Sequence, residues 1–117
     1  MPALDATFAA LADPTRRRVV DLLRSGPLLA GELAEAVEMS APAMSRHLRV
    51  LRASGLVDES SSPDDARVRI YTLRREPLEQ LHGWLDEVEG FWLIQLRSFR
   101  AHAERKARAK RGKETAT

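Results

Sequence analysis

Residues 40–57 have the sequence SAPAMSRHLRVLRASGLV and contain clear signals for where a helix begins and ends. Ser40 is a residue type that caps the N-terminus of a helix, and Pro42 is tolerated in the first helical turn. The helix is expected to end near Ser54, because Gly55 adopts the left-handed conformation of a helix exit without strain. The stretch therefore predicts a helix of about four turns that begins at a capped N-terminus.

The predicted helix has one apolar side and one polar, basic side. The apolar side recurs every three or four residues and is expected to pack inward: Met44, Leu48 and Leu51. The opposite side begins at Ala41 and Pro42 and continues through Ser45, Arg46 and Arg49. A helix of this kind fits the major groove of DNA, where Arg46 is the candidate for a bidentate contact to guanine. Ser45 suits a base or a phosphate, while Arg49 and the helix N-terminus at Ser40 suit phosphates.

The residues upstream predict three further helices. Leu4, Phe8 and Leu11 are spaced four and three apart, which is typical of a short amphipathic helix. Asp13-Pro14-Thr15 is a helix start signal, so a second helix is expected from Pro14 to about Ser25. A short third helix is predicted over Gly31–Val37.

The residues downstream of Gly55 predict a hairpin. Two antiparallel strands are expected within residues 57–73, joined by the polar segment 60–65. Arg67 and Arg69 are placed on one side of the second strand, because strand side chains alternate. They suit DNA phosphates or a narrow minor groove, although charges also protect an edge strand from aggregation.

A long last helix is predicted from Pro77 to about Arg105, followed by a basic tail, residues 106–117, that is expected to be disordered beyond Lys110. The apolar stripe of this helix is wider than one packing face requires. It consists of Leu78, Leu81, Trp84, Leu85, Val88, Phe91, Trp92, Leu96 and Phe99. A second copy of the chain is the expected cover for it. Trp84, Phe91 and Trp92 also suit a small-molecule effector pocket, but a core or dimer seam is the more frequent use of such residues.

The composition limits the classes of function. The chain has 117 residues and no cysteine, so it fits one domain, residues 1–105 plus the tail, without thiolate chemistry. Net charge is −2 over residues 1–39, +3 over 40–75, −3 over 76–100 and +4 over 101–117, which makes a polyanion partner plausible. No phosphate-binding glycine loop, carboxylate pair or nucleophile with a base is present, so neither an enzyme nor a cofactor is expected. There is no membrane-length apolar run or signal peptide, which makes cytoplasmic localisation the expectation.

The element order predicts a winged helix-turn-helix, a mainly α fold (α+β) of five helices plus a two-stranded wing. Three segments also resemble the ArsR-type bacterial transcriptional repressors. Residues 8–16, FAALADPTR, are similar to the family's ALADPTR opening, and residues 40–51 are similar to its recognition helix, S-x-P-x-x-S-x-H-L-x-x-L. Residues 53–57, ASGLV, resemble its A-G-L-V exit into the wing. Ala41 and Ala43 stand where the family often has Gln and Thr, so contacts to thymine methyl groups gain weight here.

The resemblance implies a homodimeric repressor on double-stranded DNA, associated with the nucleoid. The family dimerises through its first and last helices, which implies an interface of Leu4, Phe8, Leu11, Leu81, Leu85, Val88, Trp92, Leu96 and Phe99. Twofold symmetry then predicts a pseudo-palindromic operator. This chain, which has no cysteine and a Trp-rich last helix, resembles a subgroup of the family whose members often repress their own genes.

Two other functions are compatible with parts of the sequence. Many family members release DNA on binding a metal, and His82 and Asp86, four residues apart, offer two zinc donors on the last helix. Solvated surface residues explain the same side chains, so no metal site is predicted. A winged helix can also be a protein-interaction module, but that use favours an acidic or apolar fourth helix rather than one with Arg46 and Arg49.

Overall fold

In the computed structural model of the chain, residues 2–115 are described, with side chains for residues 2–112. The described residues form five helices and three short strands: α1 (Pro2–Leu11), α2 (Pro14–Leu23), β1 (Leu28–Leu29), α3 (Ala30–Ala36), α4 (Ala41–Ala53), β2 (Val57–Ser61), β3 (Arg69–Leu73) and α5 (Glu76–Thr115). The predicted five helices and hairpin are confirmed. The chain divides into two compact units, one ending at Leu81 and one beginning at His82.

The sheet contains one strand that the sequence analysis missed. The strand order is β1-β3-β2, all antiparallel, so the wing is three-stranded rather than two-stranded. Leu28 pairs with Tyr71 and Leu29 with Ile70. Two residues after a proline are too few to show an alternating pattern, which is why β1 was not predicted.

The helix-turn-helix unit is α3, a three-residue turn and Ser40, which caps α4. The α3 exit has Glu38 at φ 54°, with Met39 N–H donating to the carbonyl of Ala34 at 2.9 Å. The α4 exit repeats this arrangement with Gly55 at φ 82° and Leu56 N–H donating to Leu51 O at 3.0 Å. Such exits satisfy the last helical carbonyls and turn the chain sharply.

The core of the first unit lies beneath α4. Its fully buried larger side chains come from α2, α3, α4 and the chain at the start of β2, and they include Val19, Leu33, Met44, Leu48, Leu51, Leu56 and Val57. The predicted inward side of α4 is therefore confirmed. Burial of a Leu or Met side chain contributes about 1.5–3 kcal/mol, so three on one side anchor α4 firmly.

Asp13 caps the N-terminus of α2, as predicted, and its carboxylate also lies near the charged groups of Arg16 and His47. Its side chain accepts the backbone N–H groups of Thr15 at 2.8 Å and Arg16 at 3.1 Å. The backbone N–H of Arg16 is the main cause that lowers the pKa of Asp13, the backbone N–H of Thr15 lowers it further, and the charges of His47 and Arg16 add smaller effects.

Asp13→Asn should remove a pH-dependent part of the stability while keeping a capping side chain. Because the folded pKa is lowered, the stabilisation by the carboxylate is present above the unfolded pKa, near 3.8, and is lost as pH falls through the folded pKa. Melting temperatures of wild type and variant, measured by circular dichroism, should differ at neutral pH and converge in acid. A constant difference down to acidic pH would contradict this role.

The last helix is longer than predicted. It continues to Thr115, so residues 106–115, which were expected to form a tail, are helical. Ala, Arg, Lys and Glu dominate this segment and are strong helix formers, which explains the extension. Residues 116 and 117 of the predicted tail lie outside the described residues. No helix in the described part of the chain has the length and apolar character needed to cross a membrane.

Candidate nucleic-acid interface

The outward side of α4 has the composition and accessibility that a groove-reading helix needs. All five predicted outward residues are exposed: Ala41, Pro42, Ser45, Arg46 and Arg49. Ser40, also exposed, caps the helix, its Oγ accepting the backbone N–H of Ala43 at 3.3 Å. The structure thus brings the predicted base-contacting and phosphate-contacting residues onto one helix side, above the anchored apolar side.

Arg67 lies in the wing loop, not on the strand where the sequence analysis placed it. Its backbone N–H donates to Asp65 Oδ1 at 3.0 Å, and its Nε lies 3.3 Å from the same oxygen. These bonds lower the pKa of Asp65, the backbone bond being the larger cause. The turn closes where Ser62 N–H donates to the carbonyl of Val68 at 2.9 Å, so β3 begins only at Arg69. The side chain of Arg67 is 92% exposed, as a phosphate contact requires.

Arg69 is on β3 as predicted, but its guanidinium is held within the wing. Nη1 donates to Ser61 Oγ at 3.0 Å, and Nε lies 3.3 Å from Glu59 Oε1. Glu59 also pairs with Arg52 of α4, at 3.1 Å. Sequence reasoning missed both Arg52 and Glu59; the signal for Arg52 is its spacing of three from Arg49 on the same helix side.

His47 contacts residues outside α4, near the start of α2. Its half-buried ring places Nδ1 4.0 Å from Asp13 Oδ1 and 3.5 Å from Arg16 Nη1. Arg16 Nε in turn donates to the carbonyl of Ala10 at 2.7 Å. The ADPTR segment therefore connects the end of α1, the start of α2 and the middle of α4, which orients the candidate reading helix.

The α5 helix exposes most of its apolar side chains in the single chain. Among the residues predicted for the dimer interface, the exposed ones on α5 are Leu85, Val88, Trp92, Leu96 and Phe99, with Trp92 61% and Phe99 74% exposed. Leu81 is partly buried. Phe91, Leu93 and Ile94 add further exposed apolar surface, of which the sequence analysis included only Phe91.

The three predicted interface residues of α1 differ in accessibility. Phe8 is exposed, whereas Leu4 is buried and Leu11 is packed against the core of its own unit. Of the three, Phe8 thus offers the most surface to a partner.

His82 and Asp86 meet on α5, with Nε2 and Oδ2 3.4 Å apart, and both side chains are exposed. Over the described residues, no group of three or more His, Cys, Asp or Glu side chains could hold a metal ion. Zinc in proteins is usually four-coordinate, so this pair supplies at most half of a site in one chain.

A capped, basic helix packed beside a basic β-wing defines a winged helix-turn-helix DNA-binding protein. Residues 13–59 match the family described as bacterial regulatory protein, arsR family. The chain is 41% identical over 95 residues to the HTH-type transcriptional regulator Rv2034 of Mycobacterium tuberculosis, covering 81% of this chain and 83% of the relative. It is 30% identical to the transcriptional repressor SdpR of Bacillus subtilis, covering 70% of this chain and 88% of that protein.

The fold agrees with these sequence matches. A crystal structure of an ArsR family transcriptional regulator superposes with a TM-score of 0.70 and 36% identity, covering 77% of this chain and 96% of that one. The chain belongs to the ArsR family and is a DNA-binding transcriptional regulator.

Proposed function

We propose that the protein is a homodimeric repressor that binds a pseudo-palindromic operator with α4 in the major groove and the wing on the backbone or in the minor groove. The observation that carries the proposal is the exposed row of Ser45, Arg46 and Arg49 on a helix whose other side is fully buried. A rigidly held helix presents its polar side chains at fixed positions, which base readout requires. In this role the protein binds DNA without catalysing a reaction.

Within the interface, different residues have different roles. Arg46 reads a base edge, Ser45 contacts a base or a phosphate, and Arg49 contacts a phosphate. The N-terminus of α4, with Ser40, Ala41 and Pro42, approaches the backbone because helix N-termini favour anions. Arg67 and Arg69 extend the contact along the wing. A protein with this role acts in the cytoplasm and is associated with the nucleoid through DNA binding.

Dimerisation is supported by the accessibility of α5. A soluble monomer rarely exposes a contiguous row of large apolar side chains, and such rows usually mark protein interfaces. A twofold dimer places two α4 helices on half-sites about one DNA turn apart. A small-molecule effector that acts through the aromatic residues of α5 is compatible with this arrangement.

Selection of duplexes from a random DNA pool by the purified protein tests the proposal. The enriched sequences should contain an inverted repeat whose half-sites are about 10 base pairs apart. A pool that stays random after repeated rounds would contradict sequence-specific recognition. An enriched single half-site would contradict the dimeric arrangement but not base readout.

Arg67→Ala should weaken binding to every duplex by a similar factor. A lost phosphate contact releases fewer counterions, so the slope of log K against log salt should fall by about 0.9 per phosphate. Fluorescence anisotropy over a salt series on the enriched duplex and on a shuffled duplex measures both quantities. Arg24→Ala is the matched control, because Arg24 is another exposed arginine beside a carboxylate, at 4.0 Å from Asp21, outside α4 and the wing. An unchanged slope for Arg67→Ala would remove the wing loop from the interface.

A further inference from the structure

Glu59, on β2, contacts both α4 and the neighbouring strand β3 through its side chain. It stands opposite Tyr71 in the β2–β3 register. Its Oε2 accepts from Arg52 Nη1 at 3.1 Å and from Tyr71 Oη at 3.0 Å, while Oε1 lies 3.3 Å from Arg69 Nε. The carboxylate of Glu59 thus joins Arg52 of α4 to Tyr71 and Arg69 of β3.

This carboxylate is largely removed from water, which makes its partners necessary. The side chain of Glu59 is only 17% exposed, and Tyr71 is 7% exposed. Burial is the main cause that raises the pKa of Tyr71, and its hydrogen bond to Glu59 adds to it. A desolvated carboxylate is tolerated only with good hydrogen-bond partners, and apolar side chains often stabilise such positions equally well. Unlike apolar side chains, the carboxylate of Glu59 also orients its partners, because its ion pairs hold the guanidinium groups of Arg52 and Arg69 at fixed positions.

The cluster lies beside the candidate reading side of α4. Ser45, Arg49 and Arg52 stand on successive turns of the helix and, with Glu59 and Tyr71, line a cavity of about 190 Å³. Two of these five residues are predicted DNA contacts. Any change in the position of Arg52 or of the β2 strand therefore reaches the DNA-facing surface directly.

We propose that Glu59 is a positioning residue for operator recognition, which fixes the wing relative to α4 so that both engage one DNA site at once; this inference rests on the proposed function. Phosphate contacts set the register in which base contacts are made, so a wing held at a defined position sharpens the readout by Arg46. Glu59 also balances the charges of Arg52 and Arg69 in the absence of DNA. The loss of Glu59 should therefore lower the affinity for the operator relative to the affinity for DNA of any other sequence.

Glu59→Gln and Asp58→Asn form a matched pair that tests this role. Each removes one negative charge from β2, but side chains alternate along a strand, so Asp58 points away from Glu59's neighbours and instead lies 3.6 Å from Arg74. Fluorescence anisotropy gives, for each variant, the ratio of its affinity for the enriched duplex to its affinity for the shuffled duplex. Asp58→Asn should change both affinities by one common factor, whereas Glu59→Gln should lower the ratio about tenfold.

Arg52→Gln provides a second test that does not depend on a buried position, since the side chain of Arg52 is 60% exposed. If Arg52 acts through Glu59, the double variant Arg52→Gln/Glu59→Gln should lose no more of the ratio than Glu59→Gln alone. Circular dichroism melts confirm that each variant is folded; should Glu59→Gln not fold, a tenfold lower ratio in Arg52→Gln supports the inference and an unchanged ratio overturns it.

The outcomes separate this inference from the proposed function. A discriminating wild type together with a Glu59→Gln ratio no lower than that of Asp58→Asn overturns the positioning role alone. The positioning role is also overturned if the double variant loses the product of the two single-variant losses, because the two residues then act independently. A wild type that binds both duplexes equally overturns the proposed function and this inference with it.

Discussion

Trp92→Glu is expected to convert the proposed dimer into monomers and to weaken operator binding about 100-fold or more. Trp92 lies in the middle of the exposed apolar row of α5, where a charge has no partner once a second chain covers it. Two linked half-site contacts bind far more tightly than one, so the loss of the dimer removes this gain. Analytical ultracentrifugation gives the oligomeric state, and anisotropy on the enriched duplex gives the affinity.

Arg97→Gln is the matched control for this substitution. It changes the net charge by the same one unit and lies five residues along α5, on the far side of the helix from Trp92. This variant should stay dimeric and bind the operator nearly as wild type does. A Trp92→Glu protein that sediments as a dimer would place the subunit interface elsewhere.

Arg46→Ala is expected to weaken operator binding by about 1–3 kcal/mol and to relax the preference at one base position in each half-site. The bidentate contact of a guanidinium to guanine supplies this discrimination, and alanine cannot replace it. Repeating the selection with the variant, followed by sequencing, shows which position has become degenerate.

Arg49→Ala is the comparison for Arg46→Ala, because it removes the same charge from the next turn of the same helix side. It should weaken the enriched and the shuffled duplex by similar factors, as a phosphate contact does. If Arg46→Ala also lowers both affinities equally and leaves the selected sequence unchanged, Arg46 contacts the backbone and the base-reading role belongs to another residue.

The parts of the interface that the sequence predicted correctly depend on local rules. The cap at Ser40, the inward row of Met44, Leu48 and Leu51 and the exit at Gly55 follow from helix periodicity and capping. The outward position of Arg46 is then fixed by geometry, since the other side of the helix is buried. Asp13 as the cap of α2 follows from the same rules.

The parts that the sequence did not predict depend on contacts between distant residues or on competing local bonds. The Glu59 cluster joins residues that are 7 to 12 positions apart and belong to different elements, so no periodicity reveals it. Arg67 leaves the strand because Asp65 binds its backbone N–H, a side-chain bond that competes with the strand ladder. The sequence predicts too early an end for α5, because residues 106–115 lack an apolar stripe although their helix propensity is high.

Competition anisotropy with the wild-type protein is the direct test of sequence-specific DNA binding. A labelled enriched duplex is titrated with unlabelled enriched or shuffled duplex, at several salt concentrations, with added zinc and with a chelator. We expect a preference of about a thousandfold for the enriched duplex, with or without zinc. Release of DNA by zinc would instead assign an effector role to His82 and Asp86. Equal competition by both duplexes would contradict the proposed readout by α4 and leave the protein a non-specific DNA binder.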